Sequence, residues 1–128
     1  MDSIINPRHA YFTMLRAVEI PPPSIGGNTE FADSRTAFNE LPEPLKQELL
    51  THPYIATHSL AYSRKTASPE YFTDLDETAS KMYKHRLVQR HEPSARMDLY
   101  VAAHAHYIED VDPQKSLELL DTVMKHAT

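Results

Sequence analysis

The chain has 128 residues, of which 41% are hydrophobic and 24% are charged, and its formal net charge is −5. This length fits one domain with a buried core. A negative charge without a cluster of Lys and Arg argues against a nucleic-acid surface, and no apolar run reaches the ~20 residues that a membrane helix requires. The sequence contains no cysteine, which excludes disulfides, zinc–thiolate sites and thiol catalysis and favours a cytoplasmic protein.

The first quarter of the chain predicts two short strands on either side of a proline run. Residues 9–20 are rich in aromatic and β-branched side chains, a composition that favours a largely buried strand. The prolines at 21–23 end this strand, because proline cannot donate a hydrogen bond to a ladder. Residues 29–32 predict a second, shorter strand.

Two short helices are predicted next, separated by a proline. Asp33 can cap the first helix, and Pro42 ends it. The second helix begins near Glu43 and ends before Pro53. The apolar residues expected to face inward are Ala37, Phe38 and Leu41 on the first helix and Leu45, Leu49 and Leu50 on the second.

The second half of the chain predicts an extended stretch, a loop and a hairpin. Residues 54–62 have a partly alternating pattern typical of extended backbone, whereas residues 63–85 are polar, lack a steady period and predict a mobile loop. Residues 86–91 and 97–102 predict two strands, which flank a turn and form a hairpin.

A helix is predicted at the end of the chain. Asp112 supplies a cap and Pro113 occupies the first helical position. The expected apolar stripe, at near-helical spacing, consists of Leu117, Leu120, Met124 and Ala127.

Glycine is scarce, and the two glycines of the chain are adjacent at Gly26 and Gly27. Such a pair indicates a turn that needs positive φ or a close backbone approach. The glycines open the phrase Gly-Gly-Asn-Thr-Glu-Phe-Ala-Asp at residues 26–33. Four further phrases follow in order along the chain, at residues 58–64 (HSLAYSR), 90–96 (RHEPSAR), 99–101 (LYV) and 126–128 (HAT).

These five phrases, in this order and spacing, resemble the TauD/TfdA-like family of iron(II)/2-oxoglutarate-dependent dioxygenases, typified by the taurine and 2,4-dichlorophenoxyacetate enzymes. Two positions depart from the family pattern. Asn28 stands where an aspartate is more usual, and Ser94-Ala95 replaces Thr-Gly, which should stiffen the turn of the hairpin.

The resemblance implies a fold and an activity. The expected fold is α+β: a single, incomplete domain over residues 1–128 that forms part of a double-stranded β-helix (jelly roll) with helical insertions. The implied activity is oxidation, by hydroxylation, of a small organic substrate, with Fe(II) and 2-oxoglutarate as cofactors. No nucleic acid or membrane is expected as a partner.

The resemblance also assigns roles to four residues. The family binds iron through two histidines and one carboxylate, and its His-x-Asp motif aligns with Asp2. Thr29 aligns with the threonine that contacts 2-oxoglutarate. Ser63 and Arg64 match the region that shapes the substrate pocket, where Arg64 could pair with an anionic substrate. The plainer alternatives are a solvated carboxylate at Asp2, a strand threonine at Thr29 and an exposed loop arginine at Arg64.

The same alignment leaves part of the family's site outside this chain. The first iron histidine would precede Met1, and the second, together with the arginine that binds 2-oxoglutarate, would follow Thr128. We therefore expect a central piece of a dioxygenase, whose activity by itself stays an open question. The alternative is a non-catalytic remnant, or a subunit that acts only in a homo-oligomer or with a complementing chain, because half a jelly roll exposes strand edges.

A third and weaker hypothesis is a small metal-binding module. His104 and His106 would share a face on a strand, and imidazole suits several transition metals. A third ligand would have to come from Glu109 or Asp110. For the remaining histidines the default expectation is a solvated or hydrogen-bonded structural role; these are His9, His52, His58, His85, His91 and His126.

Overall fold

A computed structural model describes residues 4, 6–8, 10, 12–27, 29–79 and 81–128. Two short helices come first, five short strands follow with one helix after the first of them, and the longest helix comes last. In chain order the elements are α1 (Ser34–Glu40), α2 (Glu43–Thr51), β1 (Ile55–His58), α3 (Leu60–Ala67), β2 (Tyr83–Arg86), β3 (Val88–His91), β4 (Arg96–Leu99), β5 (Ala105–Ile108) and α4 (Pro113–Ala127).

The described strands form two antiparallel sheets. The first has the order β2-β1-β5, so that Ala56 at its centre lies opposite both His85 and Ile108. The second is the β3-β4 hairpin, in which Val88 pairs with Leu99. The hairpin predicted from the sequence is therefore confirmed, and the fold combines helices with antiparallel strands. Within the described residues, no helix has both the length and the apolar character needed to cross a bilayer.

The hydrophobic core lies where α1 and α4 pack against the strands. Phe38 is buried on α1, and Leu99 is fully buried on β4, the strand that α1 contacts. Helix α4 packs on β5, where buried Ser116 accepts a hydrogen bond from the Ile108 amide at 2.7 Å. This bond satisfies a backbone donor that the helix would otherwise cover. The other buried core residues include Ala37, Leu41, Leu49, Ala56, Leu87, Val101, Leu119, Leu120 and Val123.

The predicted caps of the helices are confirmed, whereas their buried faces are only partly as predicted. Asp33 accepts from the Arg35 amide at the start of α1, and Asp112 accepts from two amides at the start of α4. Leu50 is 47% exposed and Leu117 is 53% exposed, so both predictions of inward positions are wrong. On α4 the buried face is instead formed by Ser116, Leu119, Leu120 and Val123. The observed buried face differs from the predicted one because the helix packs on β5 through Ser116, which is polar and was not expected to face inward.

Helix α3 was not predicted. Residues 54–62 were expected to be extended throughout, but β1 ends at His58 and the chain turns into a helix after Ser59, which caps it. The segment predicted as a loop, 63–85, accordingly contributes its first five residues to α3 and its last three to β2. The intervening residues 68–79 form consecutive turns.

The prediction of a strand at 9–20 is wrong for the described residues of that stretch. The prediction of a strand at 29–32 is also wrong. Residues 12–20 and 29–32 belong to no strand, and large apolar side chains between 12 and 31 are 71–97% exposed: Phe12, Met14, Leu15, Val18, Ile20, Ile25 and Phe31. A strand forms only when a neighbour satisfies its amides and carbonyls, and no described element offers such a ladder here. By contrast, the predicted positive φ of the glycine pair is confirmed, at 91° for Gly26 and 80° for Gly27.

The hairpin turn stores backbone strain at Ala95, whose φ is 56°. The left-handed region costs a residue with a Cβ about 1–2 kcal/mol. Ala95→Gly is therefore expected to raise the free energy of unfolding by roughly 0.5–1 kcal/mol, after the greater freedom of glycine in the unfolded chain is subtracted. Urea denaturation measures this. Ala103→Gly, at an exposed turn residue without positive φ, is the control and should be neutral or destabilising; equal effects of both changes would contradict the strain.

Candidate functional site

Helix α3 places Ser63 and Arg64 beside the end of β1. The Ser59 hydroxyl, fully buried, accepts from the Tyr62 amide at 3.1 Å and so begins the helix directly after the strand. The Ser59 amide donates to the carbonyl of His104 at 2.8 Å, which joins the first turn of α3 to the turn before β5. The two pocket residues predicted from the sequence therefore lie on one helix, where consecutive side chains point about 100° apart.

Ser63 is held by a histidine. Its hydroxyl lies 2.8 Å from Nδ1 of His104, and Ser63 is half-buried. Because His104 also accepts the Ser59 amide through its backbone, both its ends are fixed to α3. Ser63 is thus oriented by a side chain that sequence analysis had considered as a metal ligand.

His106 faces the same region from β5. Its Nε2 lies 3.2 Å from a carboxylate oxygen of Glu77, and its ring stacks on Tyr62 with centroids 4.5 Å apart at an angle of 18°. Its Nδ1 is buried and has no hydrogen-bond partner among the residues that the structure describes. The neighbouring histidines 104 and 106 are therefore engaged with different partners, the hydroxyl of Ser63 and the carboxylate of Glu77.

His58 is the most enclosed histidine of this region. It is fully buried on β1, and neither ring nitrogen has a hydrogen-bond partner within the described part of the chain. Burial first, and the adjacent His85 second, lower the pKa of His58 to about 4. His58 is therefore not solvated, and it is a neutral imidazole at pH 7.

A cavity of about 210 Å³ lies between α3 and the turns that follow it, lined by Leu60, Ala61, Arg64, Leu75, Asp76 and Ala79. Its charged groups are the guanidinium of Arg64 and the carboxylate of Asp76. That carboxylate accepts from the amide and the hydroxyl of Thr78 at 2.8 and 2.7 Å. These bonds lower the pKa of Asp76 and keep it ionised. The cavity therefore has apolar walls, one cation and one carboxylate that is already engaged.

Thr29 lies elsewhere, on the exposed segment before α1. A second cavity of about 390 Å³ opens nearby and is lined by Phe31, Ala32, Asp33, Ser34, Arg35 and His91. Hydrogen bonds from Arg35 hold the pKa of Asp33 well below its usual range. Thr29 and Ser63 line neither of these two cavities. Of the residues predicted to bind cosubstrate or substrate, only Arg64 lines one of them, and its side chain is exposed.

An iron site of this family needs three protein ligands around one ion, the facial triad. Asp2, the predicted carboxylate ligand, lies outside the described residues. Among the described residues, no group of three histidine, aspartate or glutamate side chains is arranged to hold a metal ion. The residues described here therefore do not fit the iron site by themselves, and the module built on His104 and His106 has no third ligand among them.

Sequence reasoning missed Ser59, Tyr62 and Glu77. The cap at Ser59 had a readable signal, since serine before a run without proline or glycine is a common start of a helix. Glu77 had none, because its contacts are with residues 12 and 29 positions away along the chain, Lys65 and His106. Only the fold brings these groups together.

Comparison with known proteins identifies the family. The sequence profile described as "Taurine catabolism dioxygenase TauD, TfdA family" matches residues 1–128. The chain is 33% identical over 127 residues to an alpha-ketoglutarate-dependent 2,4-dichlorophenoxyacetate dioxygenase of Burkholderia sp. (strain RASC), with 99% of this chain and 41% of the relative covered. It is 35% identical over 133 residues to an (S)-phenoxypropionate/alpha-ketoglutarate-dioxygenase of Sphingobium herbicidovorans, with 98% and 45% covered. The chain therefore spans less than half the length of these relatives.

Comparison with solved structures supports the same family. The fold matches AAD-2 in complex with Mn(II) and N-oxalylglycine, with a TM-score of 0.65 and 32% identity over 77% of this chain and 35% of that one. It also matches a taurine dioxygenase from Burkholderia xenovorans, with a TM-score of 0.57 over 76% of this chain and 29% of that one; at 21% identity this supports the fold alone. By profile, sequence and fold, the chain belongs to the TauD/TfdA family of dioxygenases.

Proposed function

We propose that this chain forms the substrate-facing wall of an iron(II)/2-oxoglutarate-dependent dioxygenase that oxidises a small organic carboxylate in the cytoplasm. In this proposal the two sheets are part of a double-stranded β-helix. Asp2 is an iron ligand, and Thr29 donates to a carboxylate of 2-oxoglutarate. The observation that carries the substrate assignment is the position of Arg64, which lines an apolar-walled cavity on α3.

The chemistry of the cavity supports one carboxylate on an apolar body. An arginine fork pairs with a carboxylate through two parallel hydrogen bonds, while Leu60, Ala61 and Leu75 offer surface to an apolar group. The ionised Asp76 balances the charge of Arg64 in the cavity, so a ligand with two negative charges would be disfavoured more strongly than a ligand with one. This combination matches the relatives, which are named for 2,4-dichlorophenoxyacetate and (S)-phenoxypropionate, both single carboxylates on an aromatic ether.

The assignment of a metal and a cosubstrate rests on the family to which the chain belongs. One structural neighbour was solved with Mn(II) and N-oxalylglycine, which supports a divalent metal and a ligand of the oxo-acid type. We assign Fe(II) and 2-oxoglutarate to this chain on that basis. Thr29 is exposed, so its hydroxyl is accessible to such a ligand.

Removal of the Arg64 charge tests the proposed substrate site. Arg64→Gln is expected to weaken binding of phenoxyacetate about 10- to 100-fold, because a hydrogen bond to a charged group contributes about 1.5–3 kcal/mol. Titration followed by chemical-shift changes in NMR spectra measures the affinity. Arg90→Gln, at an exposed position on β3, is the matched control and should bind like the wild type. Equal affinity of the Arg64 variant and the control would reject Arg64 as the substrate residue.

The second candidate function is a subunit that acts only with a second chain, either another copy or a complementing one. The apolar side chains of residues 12–31 favour it, since they are exposed in the single chain and large exposed apolar patches mark interaction sites. Light scattering on the purified chain gives its mass, and anaerobic addition of Fe(II) and 2-oxoglutarate tests for the visible band of the chelated complex. A band from a dimer but not from a monomer would favour this candidate; a band from a monomer would reject it.

A further inference from the structure

One glutamate ties the segment after α3 to both α3 and β5. The cover segment, defined here as residues 68–79, runs as consecutive turns from the end of α3 towards β2. Glu77 lies near its end. Its two carboxylate oxygens and its backbone carbonyl each contact a different partner, namely Lys65 on α3, His106 on β5 and Ser59 at the start of α3.

The three contacts have ordinary bonding distances. One carboxylate oxygen of Glu77 lies 3.3 Å from the Lys65 ammonium group, and the other lies 3.2 Å from Nε2 of His106. The Ser59 hydroxyl donates to the Glu77 carbonyl at 2.6 Å. Two contacts on the side chain and one on the backbone fix both the position and the orientation of this residue, which a single ion pair would not do.

Two of the three partners of Glu77 are held in place by other contacts. Ser59 is fully buried at the junction of β1 and α3, and the His106 ring is stacked on Tyr62. The side chains of Glu77 and His106 are 30% and 20% exposed, so this contact is partly shielded from water. Shielding makes a charged contact stronger than a fully exposed pair.

The anchored residue adjoins the cavity that holds Arg64. Three lining residues come from α3, and the other three, Leu75, Asp76 and Ala79, come from the cover segment on either side of Glu77. If the cover segment moves away from α3, half of the cavity wall leaves with it. The contacts of Glu77 therefore act on the segment that forms half of this cavity wall.

We propose that Glu77 is a positioning residue that holds the cover segment against α3 and thereby completes the cavity beside the exposed Arg64 in which a small carboxylate binds. The anchoring itself rests on the contacts of Glu77, and its meaning for substrate binding rests on the proposed function. Loops that close over a substrate move without unfolding the domain, so the cover segment can move away from α3 while the core stays folded.

Hydrogen exchange of the chain without ligand tests the anchor. Glu77→Gln removes the charge that both Lys65 and His106 contact, and amides of residues 68–79 are expected to exchange about tenfold faster. Glu70→Gln is the matched control, because Glu70 is an exposed residue of the same segment and makes none of the three contacts. Peptides from α4 report whether the whole domain is destabilised. Equal exchange of the cover segment in both variants would overturn the proposal.

A double-mutant cycle separates the anchor from a general loss of stability. Lys65→Gln alone should accelerate exchange of the cover segment about threefold, and in the Glu77→Gln background it should add almost nothing, because the partner is already gone. Independent, multiplicative effects of the two changes would contradict the ion pair as part of the anchor.

Phenoxyacetate as a probe distinguishes failure of the anchor from failure of the proposed function. The probe is expected to slow exchange of residues 68–79 in the wild type, and to bind Glu77→Gln about tenfold more weakly although Arg64 is unchanged. Suppose that the cover segment exchanges faster in Glu77→Gln, but that the probe does not slow its exchange in the wild type. This result would support the anchor and reject the carboxylate site. Undiminished affinity in an opened Glu77→Gln variant would show that the cover segment does not contribute to the binding site.

Discussion

Acidification from pH 7 to pH 4 is expected to destabilise the fold by about 3 kcal/mol through His58 alone. The pKa of His58 falls from 6.5 in the unfolded chain to about 4 in the fold, where burial favours the neutral ring. Between these values the unfolded chain binds the proton and the folded chain does not. The stability is therefore complete above pH 6.5, falls as the pH drops towards 4 and changes little below that value on account of this residue.

Urea denaturation of the wild type and of His58→Asn at pH 7, 5 and 4 isolates this effect, because asparagine does not titrate. The variant is expected to be less stable at pH 7 but to lose much less stability on acidification. His126→Asn, at an exposed position on α4, is the control and should keep the full pH dependence of the wild type. Parallel curves for the wild type and His58→Asn would show that another group is responsible.

Truncation of Leu99 is the second change expected to have a large effect. Leu99 is fully buried on β4, opposite Val88 and against α1. Leu99→Ala should lower the free energy of unfolding by about 2–5 kcal/mol, because it removes buried methyl groups and leaves a cavity. A small domain is only marginally stable, so this loss is a large fraction of its free energy of unfolding. Urea or thermal denaturation measures it.

Leu117→Ala on α4 is the matched control, since Leu117 is 53% exposed. The same chemical change there should cost less than about 1 kcal/mol, as for most surface substitutions. A loss at Leu117 as large as that at Leu99 would mean that the predicted stripe, rather than the observed one, faces the core.

The helices outside α3 could be predicted because their signals are local. Asp33 and Asp112 accept amide hydrogen bonds within three residues, and prolines after α1 and at the start of α4 set boundaries through their own geometry. The hairpin of β3 and β4 follows the same logic, with a short turn joining two strands that pair with each other. Which side of α4 faces the core could not be predicted in this way, since Leu117 and Leu119 are equally apolar.

The candidate site could be predicted only as separate residues. The family resemblance pointed to Ser63 and Arg64, and the structure places both on α3, although that helix itself was not predicted. Thr29 stays a prediction on an exposed segment, and Asp2 lies outside the described residues. The enclosure of His58 depends on neighbours contributed by several elements, which no local pattern reveals.

The sequence by itself determined the family, the capped helices, the hairpin and the left-handed glycine pair, because each depends on neighbouring residues or on an ordered set of phrases. Tertiary structure alone decided which faces are buried, that residues 12–20 belong to no strand, and that Glu77 contacts Ser59, Lys65 and His106. The physical reason is that burial and electrostatic contact are properties of distance in space. Folding brings together groups that lie far apart along the chain, such as Ser63 and His104, which are 41 positions apart, and the order of residues along the chain does not encode that distance.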